Sequence, residues 1–512
     1  EPVRAPRHKA ETLPVQEQTL YLVDSPVAWH GVEALRGRLP DSSAVLAVEA
    51  EPVLLELARR LAPASLGNGQ LALAGCAPQE VAAALRALGY ERFRRVTRIS
   101  FSAGARLHPE EYAGVADAAE REIRIAWQNR LTLAAMGRLW VRNLIRNLPA
   151  LTHAAPLVQT ALPTLVCGAG PSLNAALPLI TDERERLFLV AVDTALPALT
   201  ASGIAPDCVV AIEGQFANIY DFVPVADRGY RLAADVTSCP LVVDLHDSSR
   251  ISWFCTQFAP LSILDRLREL RLPLTALPPL GSVGVSAVAA ALTMSQGPVL
   301  LAGLDFAVRA GLTHAREAPA HRALLQTADR LSGMARGELG GHWIEREGAD
   351  GRRVVTTMAM VGYAEELERV VGGARKAGRQ VAAIEPFGLP TGAEAVTAAG
   401  GRAALAAEAR EASSAGVRGA GREKLHLREE VSRFVREEIG RLERFVQSLR
   451  AAAEGRPATD LAERHRECSY VTVDFPDLAG DLTADPALIS RVLVACAYYR
   501  ERFERALRSL RS

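Results

Sequence analysis

At 512 residues the chain is too long for one ordinary core, and roughly 150 residues per domain predicts several units. An apolar fraction of 49% beside 23% charged residues describes a globular chain and excludes a disordered or fibrous one. Lys+Arg and Asp+Glu balance at 59 each, so no net field draws the chain to nucleic acid or an anionic membrane, and neither is an expected partner.

The chain opens on a polar, proline-bearing stretch from Glu1 to Gln18 that lacks a secretory apolar core. From Thr19 to Ser102, short apolar runs (Leu20–Val23, Ala44–Val48, Leu71–Ala74, Val96–Phe101) alternate with helical patterns at Val53–Leu61 and Val81–Leu88. That alternation predicts a small parallel α/β unit over residues 1–108. Glu49 ends one of its strands, where an acid can meet a ribose, but no G-x-G-x-x-G precedes it, and a surface acid flanking a helix is expected.

A nearly unbroken helical pattern follows to Leu148, predicting a connector over 109–160. Its Asn129, Thr132, Asn143 and Asn147 are expected on a solvated face.

Residues 161–397 read as a Rossmann-like, doubly wound parallel sheet: apolar runs at Thr164–Cys167, Phe188–Val192, Cys208–Ile212, Leu241–Asp244 and Val299–Ala302 alternate with helical stretches. No charge occurs between Arg271 and Asp305, but prolines and glycines break that stretch into loop, helix and strand, so no membrane span is expected. An Ala/Gly-rich stretch at 398–420 predicts a linker or a loosely held helix, and 421–512 a helical domain. There Leu427, Val431, Phe434, Val435, Ile439, Leu442, Phe445 and Leu449 form one apolar stripe expected to pack on its own protein. Seven dispersed cysteines without a C-x-x-C pair read as reduced core thiols of a cytoplasmic protein.

In a doubly wound sheet, ligands sit beyond the carboxyl ends of the strands. The first central strand ends in Gly168-Ala169-Gly170-Pro171-Ser172-Leu173, where glycines let a ligand approach the backbone and a helix N-terminus offers amides to an anion. With Pro171 lacking an N–H, the expected donors are the amides of Ala169, Gly170, Ser172 and Leu173 and the Ser172 hydroxyl. Asp193-Thr194 and Glu213 end the next strands, and with Asp207 these acids are expected at one end of the sheet, able to hold ribose hydroxyls or a divalent cation. Taken singly, each is more often a cap or turn former. A second loop, Gly281-Ser282-Val283-Gly284, opens another helix. Asp305 and His314 are the best acid/base pair, because imidazole titrates near neutrality and a carboxylate can orient it. The chain lacks a Walker A lysine, H-E-x-x-H, G-x-S-x-G and zinc-spaced Cys/His sets, which sets aside P-loop, zincin and serine-hydrolase chemistry.

In order, Gly168–Leu173, Val190–Ala195, Gly203-Ile204-Ala205-Pro206-Asp207, Gly303-Leu304-Asp305 and Thr313-His314-Ala315 resemble the MptE-like domain. It is shared by the bacterial motility-associated factor (Maf) glycosyltransferases and the archaeal 6-hydroxymethyl-7,8-dihydropterin diphosphokinases. The flanking domains favour the Maf branch. That resemblance implies transfer of a nonulosonic acid (pseudaminic or legionaminic type) from a CMP-activated donor to Ser/Thr of flagellin, with flagellin or its chaperone as partner and no required cofactor. It also implies that the Gly168 and Gly281 loops hold the nucleotide and that His314 or Asp305 serves the acid/base step. Glu213 stands where an aspartate is more usual, and Glu385–Gly392 matches the glycine-rich closing segment in part. The diphosphokinase alternative implies ATP and Mg²⁺ on Asp193, Asp207 and Glu213; a noncatalytic nucleotide-binding protein is the third reading.

Overall fold

The computed structural model describes residues 3–225, 229–258, 261–308, 312–329, 343–409, 425–475 and 486–511. The chain divides into two compact units, Glu1–Ala135 and Met136–Ser512, and the division falls inside one long helix, Pro109–Asn147.

In the first unit, β1 (Thr19–Asp24), β2 (Ala44–Glu49), β3 (Leu71–Gly75) and β4 (Arg95–Ser100) form a parallel sheet in the order β3-β2-β1-β4. Every residue of β1 and β2 is buried, as befits central strands covered on both faces. Tyr112, Val115, Ala119 and Ile123 of the long helix pack on one face; Trp29, Val32 and Leu35 lie in the cluster that includes Tyr21, Val23 and Val45. Glu49 departs from expectation: it is buried, and accepts hydrogen bonds from the Ser25 hydroxyl at 2.9 Å and the Tyr112 hydroxyl at 3.0 Å. Three partners from separate segments, counting the Glu51 amide, make it an internal fastener rather than a surface acid.

The second unit holds a nine-stranded sheet. Its strands are β5 (Thr164–Cys167), β6 (Phe188–Val192), β7 (Cys208–Ala211), β8 (Arg231–Asp235), β9 (Ile251–Thr256), β10 (Thr275–Leu277) and β11 (Val299–Ala302), completed by β14 (Val381–Ile384) and β15 (Glu394–Val396). Between β11 and β14 comes a separate antiparallel hairpin, β12 (Trp343–Glu347) and β13 (Arg353–Thr357). All neighbours in the large sheet are parallel, in the order β10-β9-β8-β7-β6-β5-β11-β14-β15. The chain winds outward from β5 to β10, then returns to β11 on the other side of β5. The sheet therefore switches direction between β5 and β11, which opens a crevice at their carboxyl ends.

The helix Val283–Met294, rich in Ala, Gly and Ser, lies against β5, β6 and β7. Small side chains on most of its surface let it approach the sheet, and nine of its twelve residues are buried. The charge-free stretch before Asp305 thus resolves into β10, this helix and β11; among the described residues no helix is long and apolar enough to cross a membrane.

Leu241–Asp244, expected as a strand, is the helix Pro240–Asp244. Pro240 occupies its first turn, where a missing N–H costs nothing and the fixed φ suits a helix. The strand in that part of the sheet is β8, whose charged ends had masked a short buried run. The 398–420 stretch begins with a helix, Ala398–Ala409; residues 410–424 lie outside the described set.

The C-terminal helices Leu425–Ala453 and Pro486–Arg511 pack on each other. Val431, Phe434, Val435, Leu442, Phe445 and Leu449 are buried, so the apolar stripe packs on its own protein as expected. A bidentate ion pair ties this layer to the helix Ser262–Glu269: Arg266 Nε and Nη2 reach Glu438 Oε1 and Oε2 at 2.6 and 2.8 Å. All seven cysteines are free thiols, and all but Cys76 are buried.

Candidate functional site

The switch point brings the Gly168 turn against the end of β11. The Gly168 N–H donates to Ala302 O and the Gly170 N–H to Gly303 O, each at 2.8 Å. A Cβ on Gly168 would overlap Gly303 O, and one on Gly170 would lie 2.7 Å from the same oxygen and overlap the Asp305 carboxylate. Glycine is required at both positions by close approach of two backbones.

Ser172 and Asp305 close the contact. Asp305 Oδ2 accepts the Ser172 N–H at 2.8 Å, and Ser172 Oγ accepts the Gly303 N–H at 3.1 Å. Several expected phosphate donors are therefore already engaged: the amides of Gly170, Ser172 and Leu173 bond within the protein, Leu173 to Gly170 O. The Ala169 amide has no protein acceptor among the described residues, and the Ser172 hydroxyl keeps its own proton to donate. Pro171 supplies a carbonyl that accepts from Asn174 Nδ2.

The loop after β11 is laid along this turn. Ala315 N–H donates to Ala169 O at 2.7 Å and Arg316 N–H to Asn174 Oδ1 at 3.1 Å, which fixes His314 beside the turn. Its Nδ1 lies 3.1 Å from Thr313 Oγ1. The expected orientation of His314 by Asp305 is not made: the two described side chains share no hydrogen bond, because Asp305 is turned to the Ser172 amide. Burial, and then the neighbouring His321, push the His314 pKa below its ordinary value, so the imidazole is neutral at pH 7.

Beyond Asp305, Thr356 Oγ1 of the hairpin donates to Phe306 O, and Leu389 N–H donates to Asp305 O at 2.8 Å. The segment Glu385–Gly392, recognised only in part from sequence, thus passes directly against Asp305. The Gly281 loop is held differently: its N–H donates to Glu366 Oε2 at 2.9 Å, and Ser282 Oγ accepts the Gly284 N–H to cap the helix Val283–Met294. Gly284 packs so tightly that a Cβ there would come 2.6 Å from Leu304 Cδ2.

The acids separate. Asp193 follows β6 and is buried; its Oδ1 takes the Thr194 amide and hydroxyl and its Oδ2 takes Asn218 Nδ2 at 2.7 Å. Burial first, and the field of Glu213 last, raise its pKa. Glu213 follows β7 and is exposed, with Oε1 on the Gln215 amide. Asp207 does not join them. It precedes β7, at the amino edge of the sheet, where Arg184 holds Oδ1 at 2.9 Å and the Leu189 N–H holds Oδ2 at 2.7 Å. In a parallel sheet the residue before a strand and the residue after it lie at opposite edges, so Asp207 is structural and away from the crevice. Among the described residues, no group of three His, Cys, Asp or Glu side chains is disposed to hold a metal ion.

Sequence reasoning missed Asn218 and Asp221. The Asn218 amide bridges Asp193 and Asp221, at 2.7 and 3.1 Å, and Asp221 is pushed up to about 7 by burial and by Asp193 and Glu213. It also misjudged Asn143 and Asn147, which are buried. Their amides donate to Gly214 O and Thr237 O, and to Val236 O and Ser238 O, clamping the loops that follow β7 and β8.

Residues 142–311 match the family described as 6-hydroxymethylpterin diphosphokinase MptE-like. Over these residues the chain is similar to an MptE-like domain. The matched part takes in the Gly168 turn, Asp193, Glu213 and Asp305 and stops short of His314. An uncharacterized protein of Treponema pallidum (strain Nichols) is 30% identical over 336 residues, covering 63% of this chain and 58% of its own. A second protein of that organism is 34% identical over 94 residues, covering 17% of this chain and 45% of its own. The chain thus spans less than two thirds of either relative. The structure of MAf glycosyltransferase from Magnetospirillum magneticum AMB-1 shares the fold, with a TM-score of 0.55 at 16% identity, over 96% of this chain and 78% of that one. The likeness extends on both sides of the MptE-like domain.

Proposed function

We propose that the MptE-like domain is the catalytic centre of a Maf-type glycosyltransferase, which moves a nonulosonic acid from a CMP-activated donor to a Ser or Thr hydroxyl of flagellin in the cytoplasm. The observation that carries the chemistry is the pinning of a neutral His314 beside the Gly168 turn by the Ala315–Ala169 hydrogen bond. A neutral imidazole next to an anion-binding turn is suited to general-base work on an acceptor hydroxyl. In this reading His314 takes the hydroxyl proton as the oxygen attacks the anomeric carbon, the bond from that carbon to the CMP phosphate breaks, and CMP leaves with the electron pair. The Ala169 amide, the Ser172 hydroxyl and the amide-rich first turn of the helix Val283–Met294 would receive the phosphate. Asp305 is a positioning residue: it sets the turn through Ser172.

The diphosphokinase reading is kept by the description of the matched family. It needs Mg²⁺ held by Asp193, Asp207 and Glu213, and the placement of Asp207 at the opposite edge removes one of the three. Titration calorimetry with CMP, CTP and ATP, each with and without Mg²⁺, tests the choice. Metal-independent binding of CMP supports the transferase; binding of ATP only with Mg²⁺ would replace it with the diphosphokinase; binding of none of the three favours a noncatalytic role.

A further inference from the structure

A cleft of about 530 Å³ lies within the second unit, where the loops after β7 and β8 meet the long helix and the last helix; no residue of the Gly168 turn lines it. Gly214, Cys239 and Pro240 form part of its wall. Its charge is one-sided: Arg142 and Arg146 enter from one helix and Arg502 and Arg505 from the other, and Asp244 is the only acid among the lining residues. Both pairs are one helical turn apart and so share a face of their helices, and the Arg502 guanidinium lies over the Tyr498 ring. Arg146 is paired with Asp244 at 3.1 Å, and Arg505 with Glu501, which does not line the cleft. Arg142 is exposed and has no acidic partner among the described residues. At the mouth, Phe216 and Leu241 are 58% and 43% exposed, and Phe216 meets Tyr220 edge to face.

We propose that this cleft is a binding site for a small molecule that joins a phosphate or carboxylate group to an apolar or planar body. Guanidiniums match both anions by forked hydrogen bonds, and a recess walled by protein strengthens their field over that of a flat surface. The size suits a small ligand rather than a peptide strand or a lipid surface. Exposed Phe216 and Leu241 offer apolar contact at the rim, which an inorganic ion would leave unused. Gly214 ties the site to the fold, because Asn143 holds its carbonyl and Trp140 packs over it, so the wall is fixed before ligand arrives.

The test is calorimetry of the full chain with phenyl phosphate, benzoate and inorganic phosphate, in the wild type and in Arg142→Ala and Arg353→Ala. The last removes a surface arginine on β13 that does not line the cleft. Saturable binding of phenyl phosphate or benzoate is expected, tighter than inorganic phosphate by about tenfold, and weakened at least tenfold in Arg142→Ala while Arg353→Ala is unchanged. Whichever organic anion binds tighter names the group the site prefers. Arg142 makes no ion pair among the described residues, so its removal is expected to leave the fold intact, and matching unfolding midpoints check this. No saturable binding, equal affinity in Arg142→Ala, or equal losses in Arg142→Ala and Arg353→Ala would each overturn the proposal.

Discussion

Asp305 and Ser172, 133 residues apart in sequence, are joined at the switch point by a 2.8 Å hydrogen bond from the Ser172 amide to the Asp305 carboxylate. Gly303, two residues before Asp305, returns a bond to the Ser172 hydroxyl oxygen. The pair fixes the Gly168 turn, and it turns Asp305 from a candidate acid into the group that shapes the turn. Asp305→Ala leaves a buried amide without its acceptor and is expected to destabilise the protein by about 2–3 kcal/mol, whereas Asp305→Asn, which can still accept the bond, loses about half of that. Urea unfolding of both variants measures the difference.

Gly170→Ala puts a methyl group into the Gly303 carbonyl and the Asp305 carboxylate. Neither is the free end of a flexible chain, so β5 and β11 must separate, and a loss on the order of 3 kcal/mol is expected in denaturant titration. Gly203→Ala, which meets nothing within 4 Å but stands at a φ of +72°, is expected to cost only about 1 kcal/mol of backbone strain.

Asp221 gives the protein a pH signature. Its carboxyl titrates near 7 when folded against a reference of 3.8, so the native state holds the extra proton between about pH 4 and 7. The stability linked to that proton is full below pH 4 and is lost as pH rises through 7. Asp221→Asn removes the loss. Discounted for partial exposure, the variant is expected to gain on the order of 1 kcal/mol at pH 8 and nothing near pH 4, read as unfolding midpoints at the two pH values.

Glu438 is fully buried between Arg266, Arg441 and the Tyr470 hydroxyl. Glu438→Gln strands the Arg266 guanidinium and is expected to destabilise the second unit by about 3 kcal/mol; the paired change Arg266→Met with Glu438→Leu is expected to recover most of the loss. Thermal unfolding of the single and double variants decides it.

Much of this arrangement is legible in the sequence where local signals agree. Thr164–Cys167 followed by Gly168-Ala169-Gly170 reads as a buried strand entering a tight turn, and the structure places it at the switch point. Three apolar residues at Leu241–Val243 do not distinguish strand from helix, and the proline before them decides for the helix. Asp207 and Glu213 are six positions apart and look alike in sequence, yet a four-residue strand between them sends them to opposite edges. Glu366 and Asn218 carry no local signal. Their roles exist only once Glu366 from the helix Met358–Lys376 reaches the Gly281 amide and Asn218 settles between Asp193 and Asp221. The buried Asn143 and Asn147 look like solvated helix residues because their partners are carbonyls of loops at least 71 positions away.

The most direct test of the transferase reading is CMP release from a CMP-activated nonulosonic acid in the presence of acceptor flagellin and a metal chelator, followed from pH 5 to 9 for the wild type and His314→Asn. The expected result is metal-independent release that climbs to a plateau by pH 7, because His314 is already neutral there, with a rate at least 10²-fold lower in His314→Asn. Release that disappears with the chelator, or that is unchanged in His314→Asn, would contradict it.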